Sequence, residues 1–317
     1  IQRPPFMPPL SKKPQIVSVA KIWDGAPHNA FTDILRLGDY YYVTFREAEG
    51  HVGSNGVIRI IRSKDGEAWE SSGVLAEEGV DLRDPKLSIT PDKRLMVCMG
   101  GSVYAGDTLS GRQPRVAFSA DGTTWSAPEK TCEEGDWLWR VTWYKGMAYG
   151  VSYSISKDVA DTGRFRLLVS PDGIHYKIRT PLAITGRPNE TTLRIMPDGS
   201  MMALVRREEE DKGGWIGTSP APYTDWTWSN TGMRLGGPNF IRLPDGTLWA
   251  GTRQYGQESK TVLAQMTAKN LKPVLELPSG GDTSYPGFLW QDDLLWMSYY
   301  ASHEGKTSIY LAKIKFE

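Results

Sequence analysis

Apolar runs and turns alternate along most of this chain, in the manner of antiparallel β-hairpins. The stretch 187–207, RPNETTLRIMPDGSMMALVRR, contains an apolar run, a Pro-Asp-Gly turn and a second apolar run. β-Branched and aromatic residues dominate the predicted strands, and no sustained helical period appears. Because the outer ends of an antiparallel hairpin are neighbours, we expect Glu190 to lie beside Arg206 and Arg207.

The hairpin turn recurs at a nearly constant spacing. The turn positions Gly38, Lys93, Gly146, Gly199, Gly246 and Asp293 are 55, 53, 53, 47 and 47 residues apart. A second turn, Ser-x-Asp-Gly-x-x-aromatic, begins at Ser63, Ser119 and Ser170. Each unit contains four predicted antiparallel strands. The sequence therefore predicts an all-β fold, a six-bladed β-propeller of four-stranded antiparallel blades.

The predicted blades form a single domain over residues 1–317. Their approximate bounds are 15–78, 79–131, 132–184, 185–235, 236–280 and 281–317. The last blade has too few strands before the chain ends. We expect the N-terminal strand, Gln15 to Ala20, to complete it and close the ring, which removes an exposed sheet edge.

Propeller geometry places the first-strand starts and second-strand ends on one face, and the turns on the other. The turn carboxylates of Asp65, Asp121 and Asp172 are therefore predicted to accept local backbone hydrogen bonds. The first face collects arginines, carboxylates and a tyrosine where six blades converge. A solvated rim of surface ion pairs is one interpretation. An anion-binding or catalytic site is the interpretation we favour, because charges in a narrow funnel need partners.

Composition excludes several classes of function. Lys and Arg number 37, Asp and Glu also number 37, and no basic run occurs, which argues against nucleic acid or an anionic membrane as partner. No apolar run approaches the roughly 18 residues of a membrane-spanning helix. Cys98 and Cys132 are too few for a disulfide framework or a zinc site.

Six blades with Ser-x-Asp-Gly turns resemble the sialidase (neuraminidase) superfamily and its Asp-box, or BNR, repeats over essentially the whole chain. In that family three arginines hold the substrate carboxylate, a tyrosine is the nucleophile, a glutamate activates it, and a first-blade aspartate is the acid/base. The resemblance implies Tyr285 as nucleophile and Glu190 as its base. It also implies Arg206 and Arg253, each seven residues after its turn glycine, as a carboxylate clamp.

Physical chemistry is consistent with these roles. A tyrosine with a pKa of about 10 is a poor nucleophile until a nearby carboxylate takes its proton. Arginine can pair with a substrate carboxylate through two parallel hydrogen bonds. Glycosidases with a tyrosine nucleophile are a recognised exception to the two-carboxylate scheme.

Blade one departs from the family pattern. His28, Asn29 and Ala30 stand where the family has Arg-Ile-Pro. The residues that could replace the missing arginine are Arg46, Arg83 and Arg140. The loop REAEGHVGSNG has no aspartate, which leaves Glu47, Glu49, His51 and Asp84 as proton donors. We favour Asp84 or His51, since histidine can act as a general acid near neutral pH. Further predicted substrate contacts are His28, Asn189 and Asn239.

The predicted function is an exo-acting, retaining glycoside hydrolase that removes a terminal acidic sugar, either sialic acid, another ketosidic acid or a uronic acid. The alternatives are a non-catalytic carbohydrate-binding propeller and a polysaccharide lyase-type enzyme. The expected partner is an acidic glycan or glycoconjugate, with no nucleic acid, no membrane span, no cofactor and no metal. We expect a monomer, and the resemblance implies a secreted or periplasmic location.

Overall fold

The chain folds as a six-bladed β-propeller. The computed structural model describes residues 6–154 and 164–317, in which all regular structure is β-strand and forms six four-stranded antiparallel sheets. Blade one contains β2 (His28–Leu37), β3 (Tyr40–Ala48), β4 (Val57–Ser63) and β5 (Glu70–Leu75). Blade two contains β6 (Asp81–Ile89), β7 (Leu95–Ala105), β8 (Thr108–Ser119) and β9 (Glu129–Lys130). Blade three contains β10 (Trp137–Tyr144), β11 (Met147–Tyr153), β12 (Arg166–Ser170) and β13 (Lys177–Pro181).

The second half of the chain repeats this order. Blade four contains β14 (Pro188–Ile195), β15 (Met201–Arg207), β16 (Gly213–Ser219) and β17 (Thr227–Arg234). Blade five contains β18 (Asn239–Arg242), β19 (Leu248–Gln254), β20 (Lys260–Met266) and β21 (Leu271–Glu276). Blade six contains β22 (Ser284–Gln291), β23 (Leu294–Ala301), β24 (Ser308–Phe316) and the N-terminal strand β1 (Pro14–Trp23).

Both ends of the chain build the closing blade. Strand β1 pairs antiparallel with β24 from Pro14↔Phe316 to Trp23↔Ile309, so the predicted strand at Gln15 to Ala20 completes blade six. The first strands β2, β6, β10, β14, β18 and β22 contact one another in a closed cycle around the axis. The predicted fold class is therefore confirmed.

The repeated turns have a common backbone conformation. All six turn positions that defined the sequence period have a positive φ, between 56° and 87°, at Gly38, Lys93, Gly146, Gly199, Gly246 and Asp293. Tight hairpin turns require this left-handed conformation, which glycine adopts without strain.

The Ser-x-Asp-Gly turns stabilise the contacts between blades. In the first of them, the Asp65 carboxylate accepts hydrogen bonds from the backbone N–H groups of Glu67 and Ala68, at 2.8 and 2.9 Å. These bonds lower the pKa of Asp65 to about 2. A Cβ at Gly66 would lie 2.3 Å from the Trp296 ring of blade six, so only glycine permits this close packing. The role of this turn is structural.

The predictions about a membrane span and about a single domain both depend on which residues the structure describes. Residues 6–154 and 164–317 contain no helix long and apolar enough to cross a membrane. Residues 1–5 and 155–163, the latter within the predicted third blade at 132–184, lie outside the described residues. The prediction of one domain over 1–317 stays a prediction.

Candidate active site

A β-bulge interrupts the first strand of five blades at the same end of the propeller. Each bulge places one extra residue in the first strand relative to the second. The residue pairs inside the bulges are Phe31-Thr32, Asp84-Pro85, Trp139-Arg140, Asn189-Glu190 and Tyr285-Pro286. Bulges redirect side chains, so this repeated irregularity turns side chains of five blades toward a common site.

Three of these bulges hold their first residue in a strained conformation. Phe31, Asp84 and Tyr285 have φ values of 67°, 48° and 48°. Positive φ is rare for aspartate and rarer for bulky aromatic residues, and such strain concentrates at functional sites. In blade five the corresponding Gly237, with φ of 64°, precedes Pro238 as Asp84 and Tyr285 precede their prolines. A Cβ at Gly237 would lie 2.0 Å from the Tyr285 ring, so this glycine provides the space for the tyrosine.

Tyr285 and Glu190 form a direct pair at the centre of the site. The Tyr285 hydroxyl donates a hydrogen bond to Glu190 Oε1. The other oxygen, Oε2, accepts hydrogen bonds from Arg206 Nη1 at 2.9 Å and from the Gly237 N–H at 2.8 Å. Both Tyr285 and Glu190 are buried, at 8% and 5% exposure. The carboxylate is therefore fixed in position with one oxygen on the phenol.

The same contacts set the charge states of the pair. Burial opposes ionisation of Glu190, but the Arg206 guanidinium and the hydrogen bonds from Tyr285, Arg206 and Gly237 together hold its pKa below the ordinary value. Burial and the neighbouring charge of Glu190 raise the pKa of Tyr285 well above its ordinary value. The resting state is thus a neutral phenol beside a carboxylate that is positioned to accept its proton.

Asp84 is the second carboxyl group of the site. It is buried at 8% exposure, and Trp137 Nε1 donates a hydrogen bond to its Oδ2 at 3.1 Å. Burial, with a further contribution from the charge of Glu190, raises the pKa of Asp84, although Arg83, Lys86 and the Trp137 hydrogen bond act in the opposite direction. The environments of the two carboxyls therefore push their pKa values apart, an arrangement typical of an acid and a base.

A cleft of about 330 Å³ opens onto this pair. It is lined by Val52, Arg83, Asp84, Tyr104, Arg112, Trp137, Tyr153, Asn189, Glu190, Arg206, Glu208 and Tyr285. Three guanidiniums face three carboxyls, so the lining bears one net positive charge when Asp84 holds its proton. The raised pKa of Asp84 favours that state.

Solved structures with the same architecture include glycosidases. A protein of unknown function from Dyadobacter fermentans is 18% identical with a TM-score of 0.83, covering 96% of this chain and 99% of that chain. The GH93 α-L-arabinofuranosidase of Fusarium graminearum, solved with arabinobiose, is 18% identical with a TM-score of 0.71, covering 94% and 97%. The sialidase of Trypanosoma rangeli, solved with sialic acid, is 11% identical with a TM-score of 0.69, covering 96% and 59%.

The chain has a sialidase-like fold. No protein-family model matches it, and no curated protein matches it in sequence. At these low identities, the structural likeness concerns the fold. The role of each side chain in this sialidase-like propeller has to be argued from its own contacts.

The two arginines of the predicted carboxylate clamp are both engaged within the protein. Arg206 donates to Glu190 and to Glu208. Arg253 donates to the Thr283 carbonyl at 2.8 Å and to the hydroxyls of Tyr255 and Tyr300, at 3.2 and 3.1 Å. Arg253 is absent from the residues that line the cleft.

A His-Asp-His cluster includes His28, which stands where the resemblance to sialidases led us to expect an arginine. Asp282 Oδ2 lies 2.9 Å from His28 Nε2 and 2.7 Å from His51 Nδ1, and Asp282 Oδ1 accepts a hydrogen bond from Tyr300 at 2.9 Å. Arg253 Nη2 lies 3.8 Å from the same Oδ1. The donor atoms of the two histidines and Asp282 lie within 4.8 Å of one another, a set able to hold a divalent cation.

Three other predicted substrate contacts are paired inside the protein. Buried Arg46 forms an ion pair with Asp81 at 2.8 Å, and buried Arg140 forms one with Asp33 at 2.9 Å. Asn239 donates to the Pro286 carbonyl at 3.0 Å and is fully buried. None of the three lines the cleft, so their predicted contact with substrate gains no support from the geometry.

The remaining predicted residues lie at the cleft or beside it. Asn189 lines the cleft and its Oδ1 accepts a hydrogen bond from the Glu190 N–H at 2.7 Å. Arg83 lines it and donates to the His51 carbonyl at 2.7 Å and to Asp81 at 3.1 Å. His51 itself is half exposed and faces Asp282, so Asp84 is the better placed of the two predicted proton donors.

Sequence reasoning missed Trp137, Arg112 and Lys86. The Lys86 ammonium lies 4.8 Å from the Trp139 ring and 5.1 Å from the Tyr285 ring, and burial lowers its pKa to about 8. It therefore places a positive charge beside the ring that would carry the phenolate. The position of Lys86, two residues after Asp84 at the start of a strand, could have indicated that its side chain lies on the same face as that of Asp84. A lysine at this position is equally compatible with exposure to solvent, so the sequence did not single it out.

Proposed function

We propose that the chain is a retaining glycoside hydrolase that removes a terminal acidic sugar with Tyr285 as nucleophile. The single observation that supports this most strongly is the hydrogen bond from the Tyr285 hydroxyl to a buried glutamate whose other oxygen is held by Arg206 and the Gly237 N–H. A carboxylate in direct contact is what a phenol requires to act as a nucleophile at neutral pH.

In the first step Asp84 donates its proton to the glycosidic oxygen while Tyr285 Oη attacks the anomeric carbon and passes its proton to Glu190. The bond to the aglycone breaks, which yields a glycosyl-tyrosine and a free alcohol. Ionised Asp84 then takes a proton from water, whose oxygen attacks the same carbon. Tyr285 leaves and recovers its proton from Glu190, and two displacements retain the anomeric configuration.

The size and charge of the cleft support the proposed substrate class. Its volume of about 330 Å³ is at the small end of ligand sites, which suits one terminal sugar residue. The net positive charge of its lining suits an anionic sugar. The structural likeness to a sialidase and to an arabinofuranosidase supports the glycosidase class.

The test is hydrolysis of a panel of α-linked sialosides, uronides and neutral arabinofuranosides. We expect at least one acidic glycoside to be cleaved with retention, and the variants Tyr285→Phe and Glu190→Gln to lose on the order of 10²-fold or more in kcat. Tyr40→Phe, near a turn on the opposite face, is the control and should keep full activity. Full activity in the first two variants would refute the mechanism.

A non-catalytic carbohydrate-binding propeller is the second candidate, favoured by the hydrogen bonds that tie Arg206 to both Glu190 and Glu208. Binding of a glycan with no product from any member of the panel would support that function. A product absorbing in the ultraviolet would instead indicate the lyase reaction.

A further inference from the structure

Arg112 has an unusual environment among the arginines that line the cleft. It lies on β8 opposite Ser102, and its guanidinium carbon lies 4.8 Å from the Trp137 ring. Within residues 6–154 and 164–317, its guanidinium makes no ion pair or hydrogen bond, and its Nε is buried without a partner. Burial lowers the pKa of Arg112 to about 10, so it remains charged at neutral pH.

The other two cleft arginines are already occupied. Arg83 donates to the His51 carbonyl and to Asp81, and Arg206 donates to Glu190 and Glu208. A substrate carboxylate would have to displace these contacts before it could pair with either guanidinium. Arg112 requires no such displacement, because among residues 6–154 and 164–317 its guanidinium makes no hydrogen bond or ion pair.

The place of the family clamp is filled by the chain's own carboxylate. Asp282 accepts a hydrogen bond from Tyr300, contacts His28 and His51, and lies 3.8 Å from Arg253. A substrate carboxylate would find these contacts already made by Asp282, so we look for recognition of the acidic group elsewhere in the cleft.

We propose that Arg112 binds the carboxylate of the acidic sugar, beside Asp84, in place of the Arg206–Arg253 clamp. Trp137 connects the two residues: its ring faces Arg112 and its N–H donates to Asp84. An acidic group on Arg112 therefore lies next to the carboxyl that protonates the glycosidic oxygen. The inference rests on the proposed function for the position of the sugar. It concerns the binding of the sugar carboxylate, so it is tested by measuring affinity and not turnover.

The experiment measures dissociation constants by titration calorimetry on the full chain. The probes are D-glucuronate and N-acetylneuraminate as carboxylates, glucose 6-sulfate as a different anion, and D-glucose and L-arabinose as neutral sugars. The proteins are wild type, Arg112→Gln, Arg112→Lys and, as a matched control, Arg36→Gln. Arg36 is exposed beside the β2–β3 turn on the opposite face. Circular dichroism melting verifies that each variant is folded.

We expect a carboxylate probe to bind wild type at least about 10-fold more tightly than the neutral sugars, because a hydrogen bond to a charged group typically strengthens binding by about that factor. Arg112→Gln should abolish this preference, Arg112→Lys should retain part of it, and Arg36→Gln should match wild type. The inference is overturned if Arg112→Gln keeps the preference, if only the sulfate binds, or if wild type shows no preference for carboxylates.

Failure of this inference and failure of the proposed function are distinguishable. Glycoside cleavage without a preference for acids would leave the hydrolase mechanism intact and overturn the role of Arg112. A preference that depends on Arg112, with no cleavage of any glycoside, would support the binding role and contradict hydrolysis.

Discussion

Asp84→Asn isolates the proton donor of the proposed mechanism. The substitution keeps the shape of the side chain but removes its acidic proton. General acid catalysis contributes about 10²- to 10⁴-fold, so kcat/KM should fall by that factor on a substrate with a sugar alcohol as leaving group. An aryl leaving group needs little protonation, so the same variant should cleave an aryl glycoside with a much smaller loss in the glycosylation step. Asp92→Asn, at an exposed turn, is the control.

The pH dependence of activity tests whether Asp84 is the proton donor, because Trp137 affects the pKa of Asp84. In the proposed mechanism Asp84 acts while protonated. Because burial raises its pKa, activity should fall as pH rises through that pKa. The Trp137 N–H, 3.1 Å from Oδ2, stabilises the ionised form. A hydrogen bond to a charged group contributes about 1.5–3 kcal/mol, and one pKa unit corresponds to 1.36 kcal/mol. Trp137→Phe should therefore move the alkaline limb upward by about 1–2 pH units.

The assay is a pH profile of kcat/KM for wild type, Asp84→Asn and Trp137→Phe on both leaving groups. An alkaline limb that persists in Asp84→Asn would show that another group is the acid. A downward shift in Trp137→Phe would show that the sign of the electrostatic argument is wrong.

Three further substitutions test other parts of the site. Glu190→Gln should reduce kcat by about 10²-fold or more and remove the acid limb of the pH profile, because protonation of a base with a lowered pKa causes that limb. Gly237→Ala should reduce activity strongly, since its Cβ would lie 2.0 Å from the Tyr285 ring, whereas Gly232→Ala, at a similar positive φ but with no atom within 4 Å of its Cβ, should affect only stability. His51→Ala should keep most activity, and a loss of 10²-fold would identify the histidine as the acid.

The sequence predicted the fold because the signals for it are local. Hairpin turns must adopt a left-handed backbone, and the positions that defined the period, from Gly38 to Asp293, do so. The same period aligned Arg206 with Arg253 and placed Glu190 and Tyr285 on one face, where the structure shows their side chains in contact.

The rest of the site depends on features that leave no local signal. A bulge adds one residue and changes which side chain faces the funnel, yet the strand starts are buried on both faces and show no alternation that would reveal it. The contact of Trp137 with Asp84 joins residues 53 positions apart in neighbouring blades. Arg112 lies in the long β7–β8 hairpin and lines the cleft. The sequence predicts the hairpin but does not show that the folded chain places it at the cleft.

The sequence also could not distinguish an arginine that is paired inside the protein from one that is available to a ligand. Arg46 and Arg112 both stand on strands of the first two blades. Asp81 forms an ion pair with the Arg46 guanidinium, whereas among the described residues no carboxylate pairs with the Arg112 guanidinium, and Glu134 contacts only the backbone N–H of Arg112. An arginine is available to a ligand only when the protein leaves its donors unpaired, which is a property of the folded state.

Trapping of the covalent intermediate would show whether Tyr285 is the nucleophile. A fluorinated glycosyl fluoride of the sugar that the hydrolysis panel identifies slows the second step, so the glycosyl-enzyme should accumulate and be located by peptide mass spectrometry. We expect one glycosyl adduct on the peptide that contains Tyr285, and none in Tyr285→Phe. An adduct on Glu190 or Asp84, or turnover of a normal substrate with an inverted product, would contradict it.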